Sequence, residues 1–159
     1  MTEPPSYSYL PFATSARIVG IDPGPKPGLV VLHVCDEHVV RVTKLDGPAL
    51  DFRGLGEQLA DAALVGMERF VIGRGTARKT KAGTAATIEQ VGRLREECSR
   101  AGVRLVEHPA GVVKPWATDD RLRAYGCYVT GNHHRDAVRH ALYAAVRAGY
   151  LPRRPAPRQ

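Results

Sequence analysis

Cysteine is scarce in this 159-residue sequence, and its three copies, Cys35, Cys98 and Cys127, are too far apart to form a CxxC pair. The odd count and the wide spacing argue against a disulfide framework or a zinc site and favour a reducing compartment. Long hydrophobic runs are missing too, since no stretch approaches the roughly 18 apolar residues of a membrane span. The N-terminus lacks the basic-then-apolar pattern of a signal peptide. We therefore expect a soluble, cytoplasmic protein with no membrane partner.

Acidic residues are in short supply relative to basic ones. There are 16 Asp and Glu against 23 Lys and Arg, which gives a net charge of +7. Of the basic residues 18 are arginine, whose planar guanidinium suits phosphate contacts, although GC-rich coding would produce the same excess. The charge balance therefore favours a polyanionic partner such as a nucleic acid without establishing one.

The hydrophobic pattern predicts an α/β domain. Its length fits one domain, in which strands and helices alternate after three initial strands. The predicted strands span 17–22, 28–35, 39–45, 64–72 and 103–108, and the predicted helices span 52–63, 84–100, 118–124 and 133–148. Asp36 and Glu37 form a tight turn, so we expect the first three strands to be antiparallel within a mixed five-stranded sheet flanked by helices. Residues 1–15 are interpreted as a flexible arm, 16–150 as the folded domain and 151–159 as a basic Pro/Arg tail.

The first strand ends in a carboxylate. Ile18 to Ile21 run directly into Asp22, and Pro23 with Gly24 stops the strand at once. Because an ionised carboxylate is costly inside a strand that is buried on both faces, Asp22 belongs at the strand end. There it either begins a turn or binds a metal ion, and this segment alone does not separate the two.

Two further acids occur where apolar residues are expected. Glu68 interrupts the predicted strand 64–72, and Asp136 shares one face of the last helix with His133 and His140. Each has a structural alternative. Glu68 could form an ion pair with Arg69 or a neighbouring arginine, and Asp136 could favour the positive end of its helix. If both met Asp22 at one end of the sheet, the cluster would suit Mg²⁺ or Mn²⁺, with histidine favouring Mn²⁺ or acting as a base.

Other charged residues have simpler interpretations. Asp51, Asp119 and Asp120 lie at predicted helix starts and are interpreted as N-caps, and Thr118 is a further candidate cap for the helix 118–124. Between Glu68 and Glu89 the chain has no acid and five basic residues: Arg69, Arg74, Arg78, Lys79 and Lys81. With its glycines, this segment is interpreted as a loop that binds the nucleic-acid backbone, the alternative being a solvated charged loop.

Three segments together resemble a known family. They are Ile-Val-Gly-Ile-Asp-Pro-Gly at 18–24, Gly-Met-Glu-Arg-Phe-Val-Ile at 66–72 and His-His-Arg-Asp-Ala-Val-Arg-His-Ala-Leu at 133–142. They resemble the acidic motifs of RuvC-type Holliday junction resolvases of the ribonuclease H-like superfamily, most closely the short RuvC-like proteins of actinobacterial phages. The resemblance covers about 16–150.

The resemblance implies a ribonuclease H-like fold and a crossover junction endodeoxyribonuclease that acts as a homodimer, formed through the 84–100 helix. Such an enzyme resolves four-way DNA junctions by paired symmetric nicks that leave 5′-phosphate and 3′-hydroxyl ends, and it uses two Mg²⁺ or Mn²⁺ ions per site. The resemblance implies these metal ligands: Asp22, Glu68, His133 and Asp136. It also implies a catalytic Lys114 near the scissile phosphate and DNA contacts by Phe70 and Arg121.

The chain departs from the family pattern at two places, which leaves other functions open. A second downstream lysine has no clear counterpart, so Arg121 or Arg123 is the candidate substitute, and Phe70 is displaced by one position from the family's inserting aromatic. The alternatives are a flap, fork or RNA–DNA hybrid nuclease, or a catalytically weak protein that binds branched DNA. An actin-like or sugar-kinase fold would need a second domain and further phosphate loops, and no Walker A pattern occurs.

Overall fold

The computed structural model describes residues 15–45, 52–71 and 81–155, which form a mixed sheet between two layers of helices. The strands are β1 (Ser15–Asp22), β2 (Gly28–Cys35), β3 (His38–Leu45), β4 (Leu64–Glu68) and β5 (Leu105–His108). The helices are α1 (Phe52–Ala60), α2 (Lys81–Ala101), α3 (Ala110–Trp116), α4 (Asp119–Ala124) and α5 (Asn132–Arg147). The predicted α/β class is confirmed.

The strands lie in the order β3-β2-β1-β4-β5. The first three pair antiparallel, whereas β4 lies parallel to β1 and β5 lies parallel to β4. Asp36 and Glu37 connect β2 to β3 with φ angles of 48° and 63°, the left-handed values that a two-residue hairpin turn of type I′ requires. The predicted meander and mixed five-stranded sheet are therefore confirmed.

The central strands β1, β2 and β4 are buried on both faces of the sheet. Helices α3, α4 and α5 pack on one face, where the core includes Ile18, Val30 and Leu64. Helices α1 and α2 pack on the other face, against residues such as Val19 and Val65. The near-continuous apolar sequence of β1, β2 and β4 follows from this, because each face of these strands meets helices.

Helix α5 lies unusually close to the sheet because three glycines lie beneath it. A Cβ added to Gly20 of β1 would lie 2.1 Å from the carbonyl oxygen of Ala137, and one added to Gly28 of β2 would lie 2.1 Å from that of His133. A Cβ on Gly66 of β4 would lie 2.4 Å from the carbonyl oxygen of His140. The glycines thus set the depth at which α5 crosses β2, β1 and β4.

Several predicted boundaries are wrong. Strand β4 ends at Glu68 rather than at residue 72, so this acid lies at a strand end and not in a strand interior. Helix α1 ends at Ala60, and its predicted cap Asp51 lies outside the described residues. Pro109 follows β5 and is also the N-cap of α3, a helix that the sequence pattern did not predict. Proline is compatible with a helix start because its missing amide N–H needs no partner there.

The chain keeps contact with the domain beyond residue 150. Leu151 is buried in the core beneath α5, and the Pro152 carbonyl accepts a hydrogen bond from the Tyr125 hydroxyl at 2.6 Å. None of the helices in the described ranges is long and apolar enough to span a membrane.

Candidate active site

The alternation of side chains along β1 and β4 directs two carboxylates to the same face of the sheet. Ile18 and Gly20 of β1 face α5, as do Leu64 and Gly66 of β4. Two residues later, Asp22 and Glu68 follow the same period. The parallel register pairs Gly20 with Gly66, so the two acids end neighbouring strands at the same level, beneath the N-terminal part of α5.

Asp22 is the most enclosed of the acids, with 8% of the residue exposed. Its Oδ2 lies 2.9 Å from Nδ1 of His133, in the first turn of α5. Burial raises the pKa of Asp22, and the charges of Glu68 and Asp136 raise it further, against the opposing effect of the His133 hydrogen bond. Burial and the neighbouring charges thus disfavour the ionised form of Asp22, and a bound cation would offset that cost.

Glu68 has a histidine beneath it. Oε2 of Glu68 lies 3.6 Å from Nε2 of His140, whose side chain is fully buried. This is an ion-pair distance and longer than a hydrogen bond, yet the imidazole lowers the pKa of Glu68 by more than partial burial raises it. The predicted position of His140 below the site agrees with the structure. The alternative pairing of Glu68 with Arg69 does not occur, since the Arg69 guanidinium lies 3.4 Å from the Glu107 carbonyl oxygen.

Asp136 is held by two cations. Nζ of Lys114, on α3, donates to Oδ2 at 2.9 Å, and Nη1 of Arg139, one turn along α5, donates to Oδ1. Burial raises the pKa of Asp136, but the hydrogen bonds and charges of Lys114 and Arg139 outweigh it and hold the pKa below its usual value. The predicted catalytic lysine therefore lies within hydrogen-bond distance of a predicted metal ligand.

Arg139 is the residue of this site that the sequence analysis missed. Besides Asp136 it binds Oδ1 of Asp119 through Nη2 and the Ala117 carbonyl oxygen through Nε at 3.0 Å. Thr118 is the N-cap of α4, as predicted, because its side chain accepts a hydrogen bond from the backbone N–H of Arg121. The N-cap interpretation of Asp119 and Asp120 is therefore wrong. The available signal was the spacing of Asp136 and Arg139, three residues apart on one helix.

The four predicted ligands and the lysine line one cleft of about 240 Å³. Its lining residues are Asp22, Pro23, Gly24, Pro25, Glu68, Phe70, Lys114, Asn132, His133 and Asp136. The Pro23–Pro25 wall is tied to α2, since the Gly24 amide donates to the Gln90 side-chain oxygen at 2.7 Å. The cleft is therefore assembled from β1, β4, α3 and α5 and is braced by α2.

The other predicted DNA contacts are only partly described. Phe70 lines the cleft, whereas Arg121 lies with its guanidinium 4.5 Å from the centre of the Trp116 ring and donates to the Trp116 carbonyl at 2.8 Å. Lys81 begins α2. The remaining predicted contacts, Arg74, Arg78 and Lys79, lie outside the described residues.

The donor set of the cleft fits a hard divalent cation. Three carboxylates and an imidazole face it, and oxygen-rich sites of this kind suit Mg²⁺ and Mn²⁺. Across the ranges that the structure describes, no three His, Cys, Asp or Glu side chains lie together as a formed metal site. Each acid instead contacts a basic partner: Asp22 contacts His133, Glu68 contacts His140, and Asp136 contacts Lys114 and Arg139.

Comparison with known proteins supports the fold. No protein-family model matches the chain, and no curated protein sequence does. Among solved structures, the chain is similar to RuvC of Thermus thermophilus in complex with a Holliday junction substrate, with 16% identity over 89% of this chain and 99% of that chain and a TM-score of 0.59. It is also similar to another Thermus thermophilus RuvC structure, at 18% identity over 88% of this chain and 99% of that one, with a TM-score of 0.53. The mixed five-stranded sheet flanked by helices thus matches the fold of these RuvC structures.

Proposed function

We propose that this protein is a metal-dependent endonuclease that resolves four-way DNA junctions by paired nicks. The observation that carries the proposal is the cleft itself, where Asp22, Glu68 and Asp136 converge with Lys114 from four different elements. The fold that brings them together is also that of a RuvC bound to a Holliday junction. The positive net charge of +7 is in keeping with a DNA substrate.

The residues of the cleft divide the chemistry between them. Asp22 would contribute to both of two ions, Glu68 to one of them, and Asp136 with His133 to the other; all four side chains line the cleft. When bound, the two Mg²⁺ or Mn²⁺ ions supply charge neutralisation of the phosphate and a more acidic water. The reaction adds one water to phosphorus and breaks the bond to the 3′ oxygen, which leaves a 5′-phosphate and a 3′-hydroxyl.

The cationic side chains act on the phosphate. The Lys114 ammonium faces the same cleft as the acids and would stabilise the charge that develops on the phosphate in the transition state. Arg69, Phe70 and Arg121, together with the basic segment that contains Arg74, Arg78, Lys79 and Lys81, would bind the DNA strands that leave the cleft.

A homodimer would place two such clefts on one junction. We propose α2 as the dimer helix, in agreement with its exposed Ile88. Because Gln90 on α2 holds the Gly24 amide at the cleft wall, dimer formation and cleft geometry would be mechanically linked. Two symmetric nicks then follow from the two-fold axis of the dimer.

The test compares substrates and ligand variants. A four-way junction, a flap, a fork and an RNA–DNA hybrid duplex are offered to the protein side by side with Mg²⁺ or Mn²⁺, and the nicks are mapped. We expect symmetric nicks in the junction, and we expect Asp22→Asn and Glu68→Gln to abolish cleavage while binding of the junction in Ca²⁺ is retained. Wild-type cleavage by both variants would overturn the metal-site assignment. Preferential cutting of the flap, fork or hybrid would instead assign the cleft to a broader nuclease.

A further inference from the structure

The two oxygens of Asp136 have different cationic partners, and the partners differ in how firmly they are held. Oδ1 accepts from Arg139 and Oδ2 accepts from Lys114. Arg139 is also bound by Asp119 and by the Ala117 carbonyl, and 17% of its side chain is exposed. A planar guanidinium with three anchored donors cannot leave Oδ1 without breaking all of these contacts.

Lys114 is held much less firmly. Its side chain is 44% exposed, and within the described part of the chain its ammonium makes a single hydrogen bond, to Oδ2 of Asp136 at 2.9 Å. A lysine head group on a flexible four-carbon stem can swing away at little cost. Of the two oxygens of Asp136, only Oδ2 can therefore become available to another cation.

The Lys114 ammonium also faces the whole acid cluster. It lies 2.9 Å from Oδ2 of Asp136 and lines the same cleft as Glu68 and Asp22. The ammonium thus offsets the mutual repulsion of three carboxylates in one cleft. A divalent cation bound at Oδ2 of Asp136 would also offset the repulsion among these carboxylates.

We infer that Lys114 is an internal counterion of Asp136 that a divalent cation must displace from Oδ2, while Arg139 keeps Oδ1 and limits Asp136 to one ligating oxygen. Binding of the ion then releases the Lys114 ammonium into the cleft, where a phosphate can accept it. This inference rests on the proposed function, since it concerns how the same cleft takes up its metal. In this inference Arg139 is a positioning residue, and metal binding is coupled to the release of the Lys114 ammonium.

The inference is tested by metal binding to the full chain without DNA. Mn²⁺ is titrated calorimetrically into chelator-treated wild-type protein, Lys114→Met and Lys44→Met. The Lys44 variant is the matched control, because it removes the same charge from the exposed edge strand β3. A partly exposed ion pair contributes up to about 1 kcal/mol, so removing the competitor should tighten Mn²⁺ binding about fivefold in Lys114→Met. Binding to Lys44→Met should stay at the wild-type value.

A second measurement follows the ammonium directly. The ¹⁵Nζ resonance of Lys114 is assigned by its absence from Lys114→Met, and Mg²⁺ is then added to the wild-type protein. We expect the signal to show a hydrogen-bonded ammonium without Mg²⁺ and to change as Mg²⁺ saturates the site. Equal affinities in wild type and Lys114→Met, equal tightening in both lysine variants, or an unchanged Nζ signal at saturation would each overturn the inference and leave the proposed function standing. If neither wild type nor Lys114→Met binds a divalent ion, both proposals fail.

Discussion

Replacing Gly66 by alanine should force α5 away from the sheet. The new Cβ would lie 2.4 Å from the His140 carbonyl oxygen and 2.8 Å from the Ala144 Cβ. Because ordinary contact begins at 3.4 Å, relief requires a shift of about 1 Å, and neither a buried strand nor a packed helix yields easily. Overpacking of this kind costs about 3 kcal/mol. For a chain of this length that corresponds to a melting temperature lowered by about 9 °C.

The assay is thermal unfolding followed by circular dichroism, and the chain offers a control of the opposite sign. Gly56 lies inside α1 with no atom within 4 Å of an added Cβ. Alanine is favoured over glycine in a helix interior by about 0.5–1 kcal/mol, so Gly56→Ala should melt slightly above wild type. If Gly66→Ala melts at or above the wild-type temperature, α5 does not lie on the sheet as closely as described, and the placement of Asp136 and His140 fails with it.

Two further predictions concern the charges of the cleft. The pKa of Asp22 in the folded protein is raised above its ordinary value of 3.8. Below pH 3.8 the carboxyl group is protonated in both states and does not destabilise the fold. As the pH rises through the folded pKa, ionising the buried group lowers the free energy of unfolding. Asp22→Asn should therefore melt above wild type at pH 7, with the difference vanishing below pH 3.8; a lower melting temperature at pH 7 contradicts this. Arg139→Gln should lower the free energy of unfolding in urea by about 2 kcal/mol, because it breaks charged, half-buried hydrogen bonds. The control Arg100→Gln, which removes an exposed i,i+4 ion pair, should lower it by at most about 0.5 kcal/mol. Equal losses in the two variants would refute the anchoring of Arg139.

Much of the fold could be predicted from local signals. The turn at Asp36 and Glu37, the apolar strands around it and the amphipathic stripe of α5 each depend on residues close in sequence. Helix α3 could not be predicted in this way, because only one of its residues, Val113, is buried, so it shows almost no apolar period. The end of β4 was also missed, since Phe70 and Val71 continue the apolar pattern after the strand has ended.

Some residues of the candidate site could likewise be recognised from the local sequence, whereas others could not. The acids Asp22, Glu68 and Asp136 stand out in sequence because carboxylates interrupt apolar elements, and the structure brings them to one cleft. Their roles as metal ligands stay a prediction. The basic partners were harder to recognise from the sequence, because arginine and histidine are common on helices. Their roles depend on which residues the helix packs against. Arg139 gained its role only when α4 brought Asp119 within reach.

The sequence by itself determined where carboxylates can be tolerated. Pro23 and Gly24 end β1 directly after Asp22, and an ionised acid is too costly to bury anywhere earlier in that strand. Only the tertiary structure decided which groups meet there. The parallel register of β1 and β4 brings Glu68 level with Asp22, and the glycines under α5 let the helix descend until His133 contacts Asp22 and His140 contacts Glu68. Such pairings join residues far apart in the chain, so they depend on the packing of whole elements and not on any local pattern.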